Sequence, residues 1–209
     1  MDPSFHIPGG AEVFVGRKSH EKAMKRLIDV LLSAAALVML LPAFLLVGLL
    51  VRLTSPGPAL FRTVRVGRGN ARFRMLKFRT MRIDTPQVAT HLMTDPAKHL
   101  TPIGGVLRAT SLDELPQLIN VLRGEMSLVG PRPALFNQDD LVALRTEKGV
   151  QTLLPGVTGW AQVNGRDELP IFKKVGYDEF YLHNRSLCFD LKILCLTVLK
   201  VFVREGVSH

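Results

Sequence analysis

The acidic pair Asp113-Glu114, two residues before Pro116, has the residue types and spacing of a reactive site. Ser111 followed three residues later by Glu114 matches a capping box, which predicts that a helix begins here with Asp113 in its first turn. The free N–H groups and dipole of a helix N-terminus favour an anion, so we expect a lowered pKa for the Asp113 carboxyl and a cradle for phosphate. An acidic pair also serves as a plain helix cap, so the pair alone leaves both interpretations open.

Five basic side chains stand beside turn residues elsewhere in the chain: Lys77, Arg79, Arg108, Arg132 and Arg166. Guanidinium groups held on rigid turns suit bidentate recognition of phosphate. A solvated basic face would explain any one of them more simply. Taken together with the acidic pair, they favour phosphoryl transfer, in which a protein mainly positions the reactants and neutralises charge.

The other motifs argue against P-loop enzymes and against metal sites built from cysteine and histidine. No Gly-x-x-x-x-Gly-Lys-Ser/Thr loop is present, and Gly67-Arg68-Gly69 is only a fragment of a phosphate loop, which argues against a P-loop enzyme. Cys188 and Cys195 form no Cys-x-x-Cys pair, and the six histidines are scattered, so we assign none of them to a metal. A carboxylate nucleophile with an adjacent acid for a divalent ion is the remaining route, and Mg²⁺ suits such ligands.

The composition indicates one compact domain that meets lipid and an anionic partner. The chain has 209 residues, 47% of them hydrophobic, with a mean hydropathy of +0.20 although 22% are charged. Its net charge of +9 calls for nucleic acid, anionic lipid headgroups or a phosphorylated substrate. Aromatic residues make up only 7% and do not alternate with the basic ones, which disfavours nucleic acid.

A long apolar run indicates that these residues lie close to a membrane. Residues 30–51 are 22 positions without a charge, more than the roughly 18 that indicate a membrane segment. The run is too long for a signal peptide and no cleavage site follows it. Basic residues flank both ends, and Pro42 interrupts the middle, so we predict a re-entrant helix whose ends are both cytoplasmic, with Ser33 helping to satisfy freed carbonyls. A kinked spanning helix is the alternative.

The fold class predicted is α+β and mainly helical. We expect a loose polar tail followed by a surface helix over 1–24, the re-entrant segment over 25–53 and a cytoplasmic catalytic domain over 54–209. Within that domain the patterns predict a β-hairpin with a cationic face (59–81), a loop or short helix (84–104), helices (110–122 and 136–149), a rigid turn (130–133), a Gly-rich loop (155–166) and an apolar helix in the membrane interface (186–203).

Several motifs together resemble the bacterial sugar transferases known as monotopic phosphoglycosyl transferases. They are Lys25-Arg26-Leu27-Ile28-Asp29, KFRTM at 77–81, RATSLDELPQLINVLRGEMSLVGPRP at 108–133, PGVTGWAQVNGR at 155–166 and DLKIL at 190–194. The resemblance covers roughly residues 24 to 206. Two features depart from the commonest pattern: Leu41 stands before Pro42 where many members have serine, and the extra membrane helices of the larger members are not seen.

The resemblance implies a two-step reaction at the bacterial inner membrane that initiates glycoconjugate synthesis. Asp113 would attack the β-phosphate of a UDP-sugar and release UMP, and undecaprenyl phosphate would then accept the sugar phosphate. Glu114 would bind Mg²⁺. The positions that match the family's active site are Lys77, Arg108, Arg132, Arg166 and Asp190, with Arg108 and Arg132 as the expected phosphate contacts.

The implied partners are a UDP-sugar, undecaprenyl phosphate, anionic membrane lipid and downstream glycosyltransferases, and not nucleic acid. Neither the sugar nor the pathway (capsule, exopolysaccharide, lipopolysaccharide or glycoprotein) can be read from the residues. Two rival functions stay open at this point: a membrane-associated binding module without turnover, and a polytopic transferase without a covalent intermediate.

Overall fold

The computed structural model describes residues 10–85, 95–165 and 169–203, and within these ranges the chain is mainly helical with two small sheets. The helices are α1 (Gly10–Met39), α2 (Leu41–Thr54), α3 (Gly104–Ala109), α4 (Gln117–Arg123), α5 (Asp139–Glu147), α6 (Trp160–Val163), α7 (Ile171–Asn184) and α8 (Leu187–Val203). The strands are β1 (Leu60–Val66), β2 (Arg72–Phe78), β3 (Ser127–Val129), β4 (Ala134–Leu135) and β5 (Gly156–Thr158).

Helices α1 and α2 form a bent pair. Among the described residues, no single helix is long and apolar enough to cross a bilayer. The two helices of this pair, which are bent by 64°, together have the length and the apolar composition of a membrane segment. The break falls at Leu40, so Pro42 lies in the first turn of α2, where its missing N–H removes no helical bond. Backbone bonds from Leu40 N to Ala36 O and from Phe44 N to Leu40 O, both 2.8 Å, continue across the break.

One expectation about this segment needs correction. Ser33 Oγ is buried and makes no hydrogen bond to any described residue, so Ser33 does not satisfy the carbonyls at the break. The backbone bonds already described satisfy the carbonyls of Ala36 and Leu40. Helix α1 begins at Gly10, inside the segment 1–24 for which we expect a loose tail followed by a surface helix. The domain boundaries at residues 24 and 53 stay predictions.

The bent pair exposes a large apolar surface around the break. Val38 is 76% exposed and Met39 79%, and further along α2 Leu45 and Leu53 are also open to the surroundings. Contiguous apolar surface of this kind is unfavourable in water and marks contact with a membrane or another apolar partner. One side of the C-terminal half of α2 is buried instead, because Val47 and Val51 pack against Phe78 and Leu107.

Three side chains in one stretch of α1 join it to the rest of the protein. Arg26 donates to the carbonyls of Val121 (2.6 Å) and Leu122 (3.0 Å) in the last turn of α4, where a cation offsets the helix dipole. Asp29, which is buried, accepts hydrogen bonds from Ser127 Oγ and the Leu128 N–H. Lys25 pairs with Asp190 on α8 at 2.6 Å. The motif before the apolar run therefore anchors α1.

The predicted β-hairpin is present. Strands β1 and β2 pair antiparallel from Leu60↔Phe78 to Val66↔Arg72, and β4 adds to the free side of β1, giving the order β2-β1-β4. Strands β3 and β5 form a separate parallel pair. Because side chains alternate along a strand, the register places Arg62 and Arg74 on one face and Lys77 on the other.

Strand β2 is an edge strand, and Asn120 covers its edge. The Asn120 side chain is fully buried, accepts a bond from the Leu76 N–H (2.9 Å) and donates to the Arg74 carbonyl (2.8 Å). It thereby satisfies backbone groups that would otherwise be unpaired. Since Lys77 follows directly, Asn120 also fixes where Lys77 lies relative to α4.

The segment 110–122 does not form the single capped helix that we predicted. Leu112–Glu114 is a short 3₁₀ turn, and α4 begins only at Gln117. A helix that began at Leu112 would need a bond from the N–H of residue 116 to its carbonyl, and Pro116 has no N–H. Ser111 lies in the left-handed region (φ 56°) and its side chain caps nothing, so the expected capping box is wrong.

Candidate active site

Asp113 and Glu114 lie side by side in the 3₁₀ turn, facing strand β2. Lys77 Nζ donates to Glu114 Oε1 at 2.7 Å and lies 3.5 Å from Asp113 Oδ2. These three side chains are largely shielded from solvent, with Asp113 only 6% exposed. One lysine is thus shared between two adjacent carboxylates, and the turn brings together residues that stand more than thirty positions apart in the sequence.

Two arginines complete the cluster. Arg132 Nη1 lies 3.3 Å from Glu114 Oε1, and the charge of Arg108 acts on Asp113. Arg108 is itself oriented by Thr80, whose Oγ1 accepts a bond from its Nε at 3.1 Å. The structure therefore gathers Lys77, Arg108 and Arg132 around the acidic pair, as the sequence predicts.

The electrostatics of Asp113 differ from our expectation. Burial raises the pKa of its carboxyl above the ordinary value, and the neighbouring Glu114 raises it further, while Lys77, Arg108 and Arg132 lower it. Desolvation is the largest of these effects. The prediction of a lowered pKa at a helix N-terminus was wrong, because the capped helix on which it depended does not form.

The other predicted site residues are held elsewhere. Arg79, which is buried, donates from Nη2 to the Ser55 carbonyl (2.9 Å) and Oγ (2.7 Å), and from Nη1 to the Pro56 carbonyl. Arg79 thus closes the turn after α2. Asp190 pairs with Lys25 and accepts a bond of 2.6 Å from the Tyr181 hydroxyl. Their described partners are structural, and a contact of either with substrate stays a prediction. Arg166 lies outside the described residues.

The backbone that carries Arg132 is held from two sides. Strand β5 supplies one side, since Gly130 N donates to Thr158 O and Gly156 N donates to Pro131 O, both at 2.9 Å. A Cβ on Gly130 would overlap the Leu154 carbonyl, so this close approach needs glycine. On the other side the buried Arg145 donates from Nη1 to the Arg132 carbonyl at 2.8 Å.

Sequence reasoning missed Arg145 and its partner Asp178. Arg145 Nη2 and Nε bond Asp178 Oδ2 at 2.6 and 3.0 Å, and both side chains are buried. Arg145 stands in an ordinary amphipathic helix, where a basic residue is usually solvated. The only signal is its distance of 13 positions from Arg132, and that spacing does not by itself indicate a contact.

We expect Arg145→Lys to lower turnover roughly tenfold to a hundredfold, because an ammonium cannot hold both Asp178 and the Arg132 carbonyl in the geometry of a guanidinium. The KM for the phosphorylated donor should rise while the folded protein remains abundant. Steady-state kinetics together with thermal unfolding would measure both effects.

Lys148→Met is the matched control for this variant. Lys148 Nζ lies 3.5 Å from Glu179, the neighbour of Asp178 on α7, but both side chains are partly exposed and neither belongs to the Arg145–Asp178 pair. Exposed pairs contribute about 0–1 kcal/mol, so we expect its kinetics to match the wild type. If Arg145→Lys keeps a wild-type KM and loses activity only in proportion to unfolded protein, Arg145 does not position Arg132.

The donor set of the cluster fits a magnesium ion. No group of three or more His, Cys, Asp or Glu side chains that could hold a metal occurs among the described residues. Mg²⁺, however, is commonly bound by one or two carboxylates, with substrate phosphate and water supplying the other oxygens. Asp113 and Glu114 are such a pair, and the desolvated negative charge of Asp113 would be stabilised by a nearby cation.

Comparison with known proteins gives a consistent result. A sequence profile described as bacterial sugar transferase matches residues 20–204. The chain is 44% identical to the uncharacterized sugar transferase EpsL of Bacillus subtilis, over 89% of this chain and 91% of the relative. It is 38% identical to the exopolysaccharide production protein ExoY of Rhizobium meliloti, over 87% of each.

It is also 38% identical, over 88% of its length, to the UDP-glucose:undecaprenyl-phosphate glucose-1-phosphate transferase of Escherichia coli. The matched region is 41% of that relative, so this chain spans about two fifths of its length.

Proposed function

The chain belongs to the bacterial sugar transferase family, and we propose that it transfers a sugar 1-phosphate from a UDP-sugar to undecaprenyl phosphate. The observation that carries the proposal is the buried Asp113-Glu114 pair with Lys77, Arg108 and Arg132 around it. Relatives that bear the name of such a transferase support the choice of donor and acceptor.

In the first step an Asp113 carboxylate oxygen attacks the β-phosphorus of the UDP-sugar. A bond forms between Asp113 and phosphorus, the bond from that phosphorus to the oxygen bridging the α-phosphate breaks, and UMP leaves with the electron pair. Lys77 and Arg132 lie where they can offset the charge of the phosphoryl oxygens. The sugar phosphate is then held on Asp113.

In the second step a phosphate oxygen of undecaprenyl phosphate attacks the same phosphorus. The aspartyl-phosphate bond breaks, which regenerates the Asp113 carboxylate and gives undecaprenyl diphosphate sugar. Covalent catalysis of this kind divides one difficult transfer into two easier ones. The burial of Asp113 supports the scheme, because exclusion of water protects an acyl phosphate from hydrolysis.

Mg²⁺ is the proposed cofactor, with Glu114 as its first protein ligand. When bound, the ion supplies positive charge that weakens the repulsion between the carboxylates and the diphosphate. Lys77 bonds Glu114 Oε1 and would keep that carboxylate oriented. Arg108 and Arg132 would orient the phosphates of the substrate.

The bent pair α1–α2 is proposed as a re-entrant membrane anchor. The ends of both arms away from the bend contact the same domain: Lys25 and Arg26 on α1 bond α8 and α4, and Val47 and Val51 on α2 pack on Phe78 and Leu107. This arrangement supports an entry and an exit on one face, and the basic flanks support a cytoplasmic location for that face.

We therefore expect cysteines at the exposed positions 22 and 54 to be protected from a thiol reagent that reaches only the outer face. The starting protein needs Cys188 and Cys195 replaced by serine, since both are exposed. Labelling of one position and not the other would indicate a spanning helix instead.

The activity itself is tested by UMP release from a panel of UDP-sugars, beginning with UDP-glucose, with and without undecaprenyl phosphate. Sustained release that depends on the lipid, together with a lipid diphosphate sugar as product, is the expected result. Lipid binding without release of UMP from any donor would favour a membrane-binding module.

A further inference from the structure

A cavity of about 210 Å³ borders the acidic pair. Glu114 and Ser111 contribute to its wall, but most of the lining is aliphatic and comes from α3, α4, β3, β5, α6 and α8. The aliphatic lining residues are Ala109, Leu115, Leu118, Leu128, Val157, Val163 and Leu194. An apolar space that begins at a charged catalytic pair is suited to a ligand with one anionic end and one hydrocarbon part.

The size of the cavity limits what part of a substrate it can hold. An apolar cavity of about 150 Å³ holds one benzene molecule, whereas pockets for whole drug-sized ligands start at about 300 Å³. The cavity is therefore too small and too apolar for a nucleotide sugar. One or two five-carbon isoprene units would fill it.

Helix α8 connects the cavity to the membrane side of the protein. Leu194 and Thr197 line the cavity, while Leu191, Val198 and Leu199, on an adjoining face of the same helix, are each more than half exposed. An exposed aliphatic face of a helix that carries few charges is stable against lipid and not against water. The wall of the cavity therefore adjoins the expected lipid surface of α8.

The covalent structure of a polyprenyl phosphate indicates which ligand fills the cavity. In a polyprenyl phosphate the first isoprene unit is bonded directly to the phosphate, so a phosphate at Asp113 and Glu114 must bring that unit into the space next to the pair. The apolar space bordering Glu114 is this cavity. We propose that the cavity binds the first one or two isoprene units of the polyprenyl acceptor, which orients its phosphate toward Asp113. This inference rests on the proposed function.

Filling the cavity tests the inference. Leu194→Trp and, separately, Ala109→Leu place extra side-chain volume in the cavity, and each should raise the KM for undecaprenyl phosphate by roughly tenfold. The KM for the UDP-sugar and the UMP released in one turnover without lipid should stay within about twofold of the wild type, because the donor step does not use this space. Ala109→Leu is the smaller change and keeps the test informative if the tryptophan variant folds poorly.

Leu191→Trp is the matched control, since residue 191 lies on the outer face of α8 and does not line the cavity. We expect wild-type kinetics from it. If the filled variants keep a wild-type KM for the lipid, or raise the KM for the UDP-sugar equally, the assignment is overturned. A wild-type protein that releases no UMP from any UDP-sugar would contradict the proposed function itself.

A crosslinking measurement on the wild-type protein is independent of turnover. A polyprenyl phosphate with a diazirine on its first isoprene unit should label peptides from α4 and α8 that line the cavity, and unlabelled undecaprenyl phosphate should compete. Labelling of the same peptides by a phospholipid diazirine, without competition by undecaprenyl phosphate, would show that an ordinary bilayer lipid occupies the cavity and would overturn the inference.

Discussion

Asp113→Asn will abolish the release of UMP, with an expected loss of at least roughly 10⁴-fold, as for removal of a nucleophile that no neighbour replaces. The amide keeps the shape of the side chain but has no nucleophilic carboxylate oxygen. Glu114 is the adjacent acid, but Lys77 and Arg132 both bond its Oε1, so it is not free to take over. The measurement is UMP release from a UDP-sugar with undecaprenyl phosphate present.

The assignment of Asp113 as nucleophile also predicts a covalent adduct that can be detected. Wild-type protein incubated with a UDP-sugar and no lipid should gain the mass of one sugar phosphate, and peptide mapping should place it on Asp113. Asp139→Asn, at an exposed carboxylate on α5, is the control and should behave as the wild type in both measurements. An adduct on another residue, or appreciable turnover by Asp113→Asn, would refute the assignment.

Stability measurements separate an inactive protein from an unfolded one. Because burial raises the pKa of Asp113, its ionised form is destabilising in the folded protein at neutral pH, and this destabilisation is relieved as the pH falls through the raised pKa. Asp113→Asn has no charge to bury. Its melting temperature at neutral pH should therefore equal or exceed that of the wild type, and the difference should shrink in acid.

The parts of the site that could be predicted are those whose residue types are unusual where they stand. An arginine between two prolines and an acidic pair two residues before a proline favour a functional site when they are considered together with the other basic residues. In the structure Arg132, Lys77 and Arg108 lie around Asp113 and Glu114, and their roles toward substrate stay predictions. The sequence could not distinguish them from Arg79, whose surroundings are similar but whose guanidinium closes the turn at Ser55 and Pro56.

One wrong prediction has a local cause, whereas the other parts that could not be predicted depend on tertiary contacts. Ser111 and Glu114 have the spacing of a capping box, but Pro116 prevents the helix that the box would cap. The local cause is therefore a proline that stands two residues after the pattern. Asn120 within an apolar helix is a visible anomaly, but only the packing of α4 on β2 explains it. Nothing in the sequence indicates that Arg145 reaches the Arg132 carbonyl.

The bent pair α1–α2 also has features that the sequence predicts and contacts that it does not. The length of the apolar run and the position of Pro42 predict a broken membrane helix. The structure has a helix pair there, bent by 64°, and its insertion in a membrane stays a prediction. Lys25 and Asp190 are 165 positions apart, and their ion pair could not be foreseen from either residue. Asp190 resembles a family active-site position, yet its described partners join α1, α7 and α8.

Removal of divalent ions should have the second largest effect. In excess EDTA we expect turnover to fall to background and to recover when Mg²⁺ is added back, since two carboxylates and a diphosphate repel one another without a cation between them. Lys77, Arg108 and Arg132 offset part of this charge, but they are already engaged with the carboxylates or their neighbours in the structure. UMP release measured across a Mg²⁺ titration gives the dependence.

Glu114→Gln assigns this dependence to a residue. The glutamine keeps an oxygen that can accept bonds from Lys77 and Arg132 but removes the charge that would attract the ion. We expect turnover to fall roughly 10²–10³-fold and the Mg²⁺ concentration for half-maximal activity to rise, because the lost interaction is with the ion. Glu147→Gln, at an exposed position on α5, should leave both quantities unchanged. A Glu114→Gln variant with an unaltered Mg²⁺ requirement would show that Glu114 acts by orienting Lys77 and Arg132, and full activity in EDTA would remove the metal from the mechanism.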